Sequence, residues 1–430
     1  MNTIEVYESG PLKGEVFVQG SKNAALPVMT AAILIPGVTV LHNIPLITDI
    51  LYMITILRSV GCVVERNGDS LYIDACHVNT SQIPQNAAGK MRSSIIFLGA
   101  MLARMHRAGI PYPGGCVIGK RPFDFHVDAM ERMGAVVAAK EKMLTANVRN
   151  LHGADITLRF PSVGATESII LAAVLADGRT RVFNAAREPE IQELCGFLNA
   201  AGAKISGAGG SELLIDGVSS LKPVEYRIRP DRIVAGTYAI AVAATRGNAH
   251  ILNTPKEEMG ALTDVLCKMG CEIKEEGRGI FVDGRNASAP CGYVRTGVYP
   301  EFPTDLQSPL LTMLCVQEGN SIIEETVFEG RFRTAFELEK LGADICVKDR
   351  RAYITGRCRL HGADVCAPEL RGGAALVIAG LLASGKTIVH DAWFIDRGYA
   401  DICGDLERLG AKMTRNRGQW EEDLSLAIRN

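Results

Sequence analysis

A short helix-ending phrase recurs six times along the chain, and this repetition limits the possible folds more than any other feature of the sequence. One copy reads Leu-Glu-Lys-Leu-Gly-Ala-Asp-Ile, at residues 338–345. The glycine of the phrase stands at positions 61, 134, 202, 270, 342 and 410, so the successive intervals are 73, 68, 68, 72 and 68 residues. Repetition at a nearly fixed period indicates that the chain consists of copies of one supersecondary unit.

The phrase is typical of a helix that stops. Apolar residues at helical spacing precede the glycine, which predicts a left-handed C-cap, and a β-rich segment follows. Each repeat also has an upstream helix that we expect a glycine to end, for example Gly178, Gly247 or Gly385, with a strand after it. A repeat therefore reads strand, helix, strand, helix, strand, strand. Because helices and strands alternate, we predict an α/β (α+β) fold in which helices pack on sheets.

Length and charge narrow the class of protein further. The 430 residues exceed one typical domain, so we predict two domains of three repeats each, joined at residues 222–230. Lys plus Arg (46) nearly balance Asp plus Glu (48), so no global charge attracts nucleic acid or a membrane surface. No charge-free apolar run approaches the ~18 residues of a membrane span, and the chain begins with no leader pattern. We therefore expect a cytoplasmic protein without nucleic-acid or membrane partners.

The cysteines predict reduced thiols rather than a metal site. None of the twelve cysteines forms a Cys-x-x-Cys pair, and the eight histidines form no His-Glu-x-x-His motif. We expect most of these cysteines to be small core residues.

One loop concentrates reactive groups. Residues 111–122 hold three glycines, three prolines, the thiol of Cys116 and the cations Lys120 and Arg121. Gly114 and Gly115 lack Cβ atoms, which leaves room for another molecule beside the sulfur. The two cations favour a thiolate and can hold an anion next to it. Taken alone, the stretch is equally compatible with a surface turn that carries a chance cysteine.

Basic residues recur where helices of the repeats are predicted to begin. Helix N-termini attract anions, and arginines gathered there favour a substrate with two or more phosphate or carboxylate groups. A capping loop with a solvated charge is the simpler interpretation of any single arginine. Recurrence at equivalent positions favours a shared site instead. The residues that would form it are Lys22, Arg92, Arg121, Arg331, Arg371 and Arg397.

Ten segments match the motifs of one known family in the same order. They are 20–27 (GSKNAALP), 91–94 (MRSS), 113–116 (PGGC) with 119–122 (GKRP), 162–167 (SVGATE), 184–190 (NAAREPE), 230–233 (PDRI), 302–305 (FPTD), 325–329 (ETVFE) and 395–399 (IDRGY). With these segments the sequence resembles the UDP-N-acetylglucosamine 1-carboxyvinyltransferases, which are enolpyruvyl transferases, over essentially its whole length.

The resemblance implies a two-domain inside-out α/β barrel of six βαβαββ units, three per domain. The domains would be residues 22–229, and residues 1–21 with 230–430, with substrates in the cleft between them. The implied reaction moves the enolpyruvyl group of phosphoenolpyruvate to the 3-hydroxyl of UDP-N-acetylglucosamine, by addition and elimination, and releases phosphate. This is the first committed step of peptidoglycan synthesis, and it implies neither a cofactor nor a metal.

The resemblance also implies roles for single residues. Cys116 would be the general acid, Asp305 the base, and Lys22 and Arg397 would also be catalytic. An N-cap is the alternative role of Asp305, and the two roles are compatible. Phosphoenolpyruvate would bind Lys22, Asn23, Arg121, Arg331, Arg371 and Arg397. The nucleotide sugar would bind Arg92, Arg121, Pro122, Phe123, Asp124, Phe125, Ser162, Val163, Gly164, Asp305 and Val327.

Two positions depart from the family pattern. Glu369 stands where members usually carry aspartate, and Phe160 stands where some members carry lysine. The extra methylene of Glu369 could crowd Arg397 or the cysteine loop. Two alternatives stay open: an enolpyruvylshikimate-phosphate synthase, which lacks the Pro-Gly-Gly-Cys loop, and a paralogue that binds the nucleotide sugar without turnover.

Overall fold

The computed structural model describes residues 2–112, 114, 118, 123–140 and 142–418. Cys116, Lys120, Arg121 and Pro122 therefore lie outside the described residues. The α-helices are α1 (Lys22–Ala31), α2 (Thr48–Ser59), α3 (Gln85–Ala88), α4 (Phe97–Met105), α5 (Asp124–Arg132), α6 (Val163–Ala173), α7 (Pro189–Ala200), α8 (Arg232–Ala244), α9 (Gly260–Lys268), α10 (Gln307–Val316), α11 (Arg333–Lys340), α12 (Leu370–Leu382) and α13 (Ile402–Arg408).

Short strands, mostly of five residues, alternate with these helices. They are β1 (Thr3–Tyr7), β2 (Lys13–Phe17), β3 (Val38–His42), β4 (Val63–Asn67), β5 (Ser70–Asp74), β6 (Arg107–Pro111), β7 (Val136–Lys140), β8 (Met143–Asn147), β9 (Asp155–Thr157), β10 (Arg179–Phe183), β11 (Lys204–Ser206), β12 (Glu212–Asp216), β13 (Glu225–Arg227), β14 (Asn248–Leu252), β15 (Glu272–Glu276), β16 (Gly279–Asp283), β17 (Tyr293–Gly297), β18 (Phe302–Pro303), β19 (Asn320–Glu324), β20 (Asp344–Lys348), β21 (Arg351–Thr355), β22 (Asp364–Cys366), β23 (Lys386–His390) and β24 (Met413–Asn416).

The strands of the described residues form six sheets, which confirms the predicted α/β class and the repeated architecture. Most sheets combine one parallel pair with antiparallel hairpins, as β10 does with β9 and β12. The strand orders are β22-β23-β1-β24, β11-β12-β10-β9, β13-β3-β5-β4, β15-β16-β14-β2, β18-β17-β19-β21-β20 and β6-β8-β7. No described helix is long and apolar enough to cross a membrane.

The described residues divide into two compact units. The N-terminal unit contains residues 20–112, 114, 123–140 and 142–229, and the C-terminal unit contains residues 2–19, 118 and 230–418. Strand β1 pairs with β23 and β24, so the first strand of the chain belongs to a sheet of the C-terminal unit. The stretch that we predicted as the joint contains β13, which pairs in parallel with β3. This strand belongs to a sheet of the N-terminal unit, and the boundary between the units falls at the end of the same stretch, between Arg229 and Pro230.

The six glycines of the repeated phrase all adopt the left-handed conformation that the sequence predicts. Their φ angles are 104°, 95°, 102°, 98°, 93° and 96°, in chain order. The prediction for Gly247 is wrong, because the left-handed residue after α8 is Arg246, with φ 53°. Gly247 is required for another reason: a Cβ atom there would lie 2.1 Å from the carbonyl oxygen of Leu12.

Nearly fully buried helices form the centre of each unit. In the C-terminal unit α10 packs on α8 and α12, and in the N-terminal unit α4 packs on α1 and α6. Every residue from 233 to 244 of α8 is buried. A helix that is apolar all round must have neighbours on all sides, so its polar groups concentrate at its ends. Four of the candidate site residues lie at or next to such N-terminal ends: Lys22 (α1), Ser162 (α6), Asp305 (α10) and Arg371 (α12).

Candidate active site

Lys22 is the first residue of α1 and forms a buried ion pair. Ser21 caps the helix by accepting a hydrogen bond from the backbone N–H of Ala24. The Nζ atom of Lys22 lies 2.7 Å from Oδ2 of Asp49, and the two side chains are 10% and 3% exposed. A cation at a helix N-terminus is opposed by the helix dipole, so Asp49 is needed to hold it there. Asn23 follows and is half-buried.

The start of α6 is a capped and partly accessible N-terminus. Ser162 accepts from the N–H of Ala165 at 3.4 Å, and Val163 and Gly164 begin the helix half-buried. The hydroxyl of Thr166 donates to the carbonyl of Ser162 at 2.8 Å and accepts from the N–H of Ala186 at 3.1 Å. Free N–H groups at such a terminus favour an anionic ligand.

A buried histidine joins this helix to α5. The Nδ1 atom of His126 lies 2.8 Å from the hydroxyl of Ser168. Burial, with a smaller contribution from the charge of Arg92, lowers the pKa of His126 to about 3. The imidazole is therefore neutral, and a Cβ atom on Gly164 would lie 3.3 Å from its Cε1 atom. Arg92 is half-buried at the start of the 3-10 helix Arg92–Ile96.

The predicted nucleotide-sugar residues 123–125 begin α5. Phe123 is half-buried and its ring centroid lies 5.2 Å from that of Tyr112. Asp124 is exposed, with an oxygen 3.5 Å from a guanidinium nitrogen of Arg159. The same guanidinium lies 5.5 Å from the ring centroid of Phe125.

Two buried arginines grip one carboxylate in the C-terminal unit. Arg331 forms a short ion pair with Oδ1 of Asp305, and Nη2 of Arg371 lies 3.6 Å from Oδ2. Both arginine side chains are 3% exposed, whereas that of Asp305 is 24% exposed. Burial opposes the charge of each arginine, but the nearby carboxylates outweigh it, so the pKa of Arg331 and that of Arg371 are raised. Both guanidinium groups are therefore permanently charged.

The cluster of Asp305, Arg331 and Arg371, with the neighbouring Gln307, contains three buried donors without an acceptor among the described residues. Nε of Arg331, Nη1 of Arg371 and Nε2 of Gln307 are buried and have no hydrogen-bond partner among the described residues. Buried donors without acceptors are costly unless a ligand or water completes them. Asp305 lies inside the 3-10 helix Thr304–Leu306, its oxygens contact the two arginines, and Leu306 is the N-cap residue of α10, which has no side-chain cap.

Both carboxylate oxygens of Glu369 accept hydrogen bonds within the C-terminal unit. Its side chain caps α12 by accepting from the N–H groups of Arg371 and Gly372, at 2.9 and 2.5 Å. It also accepts from Nη1 of Arg331 at 3.2 Å. The cap and the ion pair thus occupy both carboxylate oxygens.

A second buried carboxylate arranges the loop that carries Val327. Oε1 of Glu325 accepts from the N–H groups of Val327 and Phe328, at 2.7 and 2.9 Å. Oε2 accepts from the hydroxyl of Thr304 at 2.8 Å, next to Asp305. Glu325 therefore ties the Val327 loop to the segment of the predicted base.

The remaining predicted residues are described only in part. Arg397 is half-buried and ends the 3-10 helix Ala392–Arg397. Cys116, Arg121 and Pro122 lie outside the described residues. Gly114 has a packing role that we did not predict, because a Cβ atom there would lie 2.0 Å from the carbonyl oxygen of Gly89.

The structure brings Asp305, Arg331 and Arg371 into direct contact, and it adds three residues that the sequence analysis missed. Asp49 holds Lys22, Glu325 holds the Val327 loop, and Tyr399 lies beneath Arg371. The only signal for the last two was their presence in the matched segments 325–329 and 395–399. The sequence carried no signal for Asp49.

Comparisons with known proteins agree over almost the whole chain. The family of EPSP synthase (3-phosphoshikimate 1-carboxyvinyltransferase) matches residues 6–406. UDP-N-acetylglucosamine 1-carboxyvinyltransferase 2 of Caldanaerobacter subterraneus subsp. tengcongensis is 45% identical over 96% of this chain and 100% of that protein. UDP-N-acetylglucosamine 1-carboxyvinyltransferase of Corynebacterium jeikeium is 42% identical over 94% of this chain and 96% of that protein.

Solved structures share the fold at lower identity. The enolpyruvyl transferase NikO from Streptomyces tendae is 24% identical, with a TM-score of 0.87 over 97% of this chain and 99% of that one. EPSP synthase from Acinetobacter baumannii is 16% identical, with a TM-score of 0.75 over 97% of this chain and 100% of that one.

Proposed function

Since this chain belongs to the EPSP synthase family and, within it, to the UDP-N-acetylglucosamine 1-carboxyvinyltransferases, we propose that it transfers the enolpyruvyl group of phosphoenolpyruvate to the 3-hydroxyl of UDP-N-acetylglucosamine and releases phosphate. The transfer is the first committed step of peptidoglycan synthesis. We propose that it takes place in the cytoplasm, and that the two compact units are the two domains of the enzyme.

The observation that carries the proposal is the pair of buried arginines on Asp305. A buried ion pair contributes little net stability, because desolvation offsets most of the attraction between the charges. Stability alone therefore does not account for two buried arginines on a partly exposed carboxylate, with N–H donors that have no acceptor among the described residues. A reaction at this carboxylate accounts for them better. The donors suit the carboxylate or the phosphate of phosphoenolpyruvate.

The proposed chemistry needs one acid and one base. Cys116 gives a proton to the methylene carbon of phosphoenolpyruvate, which makes C2 electrophilic. Asp305 takes the proton of the sugar hydroxyl as its oxygen attacks C2. Phosphate then leaves the tetrahedral intermediate with the proton that Asp305 had taken. The freed carboxylate of Asp305 removes a proton from the new methyl group, which restores the double bond, and this proton returns through solvent to the thiolate of Cys116. Lys22 and Arg397 stabilise the charge that develops on the phosphate.

We propose two groups of binding residues. Lys22, Asn23, Arg121, Arg331, Arg371 and Arg397 bind phosphoenolpyruvate. The capped start of α6 supports the second group, because its N–H groups suit the diphosphate of a nucleotide sugar. The nucleotide-sugar group is Arg92, Arg121, Pro122, Phe123, Asp124, Phe125, Ser162, Val163, Gly164, Asp305 and Val327.

Phosphate release tests the proposal. The wild-type protein should release phosphate only when phosphoenolpyruvate and UDP-N-acetylglucosamine are both present. Release with shikimate 3-phosphate instead would assign the chain to the other branch of the family. A protein that binds the nucleotide sugar, measured by calorimetry, but never releases phosphate would be a binding paralogue.

Two variants test the assigned roles. We expect Asp305→Asn and Cys116→Ser each to lower kcat by about 10²–10⁴-fold, the usual contribution of a general acid or base. Asp283→Asn is the matched control, because Asp283 also lies in the C-terminal unit and pairs with an arginine, Arg285, at the surface. If Asp305→Asn keeps full activity, Asp305 is not the base of this mechanism.

A further inference from the structure

Tyr399 is a buried phenol that contacts Arg371, one of the two arginines on the candidate base. It is 1% exposed, and it follows Arg397 by two residues. Its hydroxyl oxygen lies 2.8 Å from Oγ1 of Thr237 in α8. Thr237 donates its own hydroxyl hydrogen to the carbonyl of Ile233 at 2.8 Å. Tyr399 must therefore donate to Thr237, which fixes the phenol ring in one orientation.

The fixed ring lies beneath Arg371. The guanidinium carbon of Arg371 is 5.6 Å from the ring centroid of Tyr399, within the range of a cation–π contact. Arg371 is also the residue whose Nη2 lies 3.6 Å from Asp305. Its Nη1 has no hydrogen-bond partner among the described residues. The ring is therefore one restraint on the direction in which the guanidinium points.

We propose that Tyr399 and Thr237 are positioning residues for the transfer reaction. Neither needs to contact a substrate. Thr237 holds the phenol, the phenol holds Arg371, and Arg371 together with Arg331 holds the carboxylate of Asp305 in the direction of the proton that it removes. This inference rests on the proposed function. It assigns the buried hydroxyl pair to catalysis, whereas a purely structural hydroxyl pair would stabilise α8 and nothing else.

The test compares two buried tyrosines of the same unit. Tyr399→Phe removes the hydroxyl that fixes the ring. Tyr238→Phe is the control, because Tyr238 is also fully buried and follows Thr237 in α8, but its hydroxyl donates to Oδ2 of Asp405 at 2.5 Å instead. Since a small displacement of a catalytic group costs on the order of 10²-fold in rate, we expect kcat to fall about 10- to 100-fold in Tyr399→Phe and by less than about twofold in Tyr238→Phe.

The KM for UDP-N-acetylglucosamine should stay unchanged in Tyr399→Phe, because the inference concerns the proton transfer. Thr237→Val should reproduce the loss of kcat, and Thr237→Ser should restore it. Wild-type kcat in Tyr399→Phe, or equal losses in Thr237→Val and Thr237→Ser, would overturn the inference.

A double-mutant cycle separates positioning from loss of structure. If Tyr399 acts through Asp305, Tyr399→Phe should lower kcat by less than about threefold once Asp305→Asn is present, since residues that act as a unit are non-additive. Losses that multiply would overturn the inference. If the wild-type protein releases no phosphate at all, the proposed function fails. A crystal structure of Tyr399→Phe then decides the positioning role, because an Arg371 that keeps its contact with Asp305 excludes it.

Discussion

The neutral imidazole of His126 should make the N-terminal unit sensitive to acid. In the unfolded chain this histidine has an ordinary pKa of 6.5, whereas burial and, to a smaller degree, Arg92 lower its pKa to about 3 in the fold. Below pH 6.5 the unfolded chain therefore binds a proton that the folded chain does not bind. Stability from this group is fully present above pH 6.5 and is lost as the pH falls towards 3.

The size of the effect follows from the difference between the two pKa values. Each pH unit below 6.5 costs about 1.4 kcal/mol of unfolding free energy, so going from pH 7 to pH 5 should cost about 2 kcal/mol. Other groups titrate as well. Burial, with the nearby Glu190 and Glu188, raises the pKa of Glu167 well above its usual value. The contribution of Glu167 to the free energy of unfolding therefore falls as the pH rises. The comparison between variants removes such contributions.

The assay is urea unfolding of wild type, His126→Gln and His152→Gln at pH 7 and pH 5. His152 is the matched control, because it is an exposed histidine of the same unit. Residues 20–229 contain no tryptophan, so circular dichroism should register the pH effect that tryptophan fluorescence misses. We expect the loss of stability between the two pH values to shrink by about 2 kcal/mol in His126→Gln only. Equal losses in His126→Gln and wild type would refute the reasoning.

Two further predictions concern the thiols and Glu369. Fosfomycin, an epoxide that mimics phosphoenolpyruvate, should alkylate Cys116 selectively, and faster when the nucleotide sugar is present. Peptide mass spectrometry measures the labelling of each cysteine. Equal labelling of Cys116 and the other cysteines would contradict the prediction. Burial raises the pKa of Cys62, Cys195, Cys271 and Cys403 to about 12, so these thiols should stay unlabelled. Glu369→Ala should cost about 3–5 kcal/mol in urea unfolding, because it removes the cap of α12 and a buried partner of Arg331. Glu369→Asp, which retains a good N-cap, should cost less than about 1 kcal/mol, and equal costs for both variants would contradict this account.

The repeated architecture could be predicted from the sequence because its signals are local. The glycine at position 202, for example, needs only its own left-handed φ of 102° to end α7, and the same requirement recurs at each repeat. Gly247 shows the limit of such signals. Glycine is needed there because a Cβ atom would clash with the backbone of Leu12. Leu12 lies more than two hundred positions away in the chain, so no local sequence pattern indicates this clash.

Burial of cysteines was also predicted too simply. Five of the eleven described cysteines are buried, whereas Cys76, Cys267, Cys346 and Cys366 are exposed. Cys346 and Cys366 lie in β20 and β22, whose side chains alternate between the two faces of a sheet. Ile345 and Val365 beside them are buried, so the alternation turns both cysteines to the exposed face, a local signal that the prediction from residue type did not use.

The partners of the site residues required tertiary structure. Lys22 and Asp49 belong to different helices, and the sequence does not say which carboxylate neutralises which cation. Glu369 illustrates the opposite case, in which a departure from the family pattern looked disruptive. Its longer side chain is accommodated inside the unit, because the carboxylate caps α12 and pairs with Arg331.

The distribution of exposure within the C-terminal cluster explains why one of its carboxylates suits chemistry and the other does not. Arg331, Arg371 and Glu369 are each less than a tenth exposed, and Glu369 is satisfied by two backbone N–H groups and a guanidinium. Asp305 is 24% exposed, and the guanidinium groups of Arg331 and Arg371 contact its carboxylate. A carboxylate bound to backbone N–H groups cannot change partners without opening its helix, whereas one held by side chains can exchange a guanidinium contact for a substrate hydroxyl. We therefore propose Asp305, rather than Glu369, as the carboxylate of this cluster that accepts the proton.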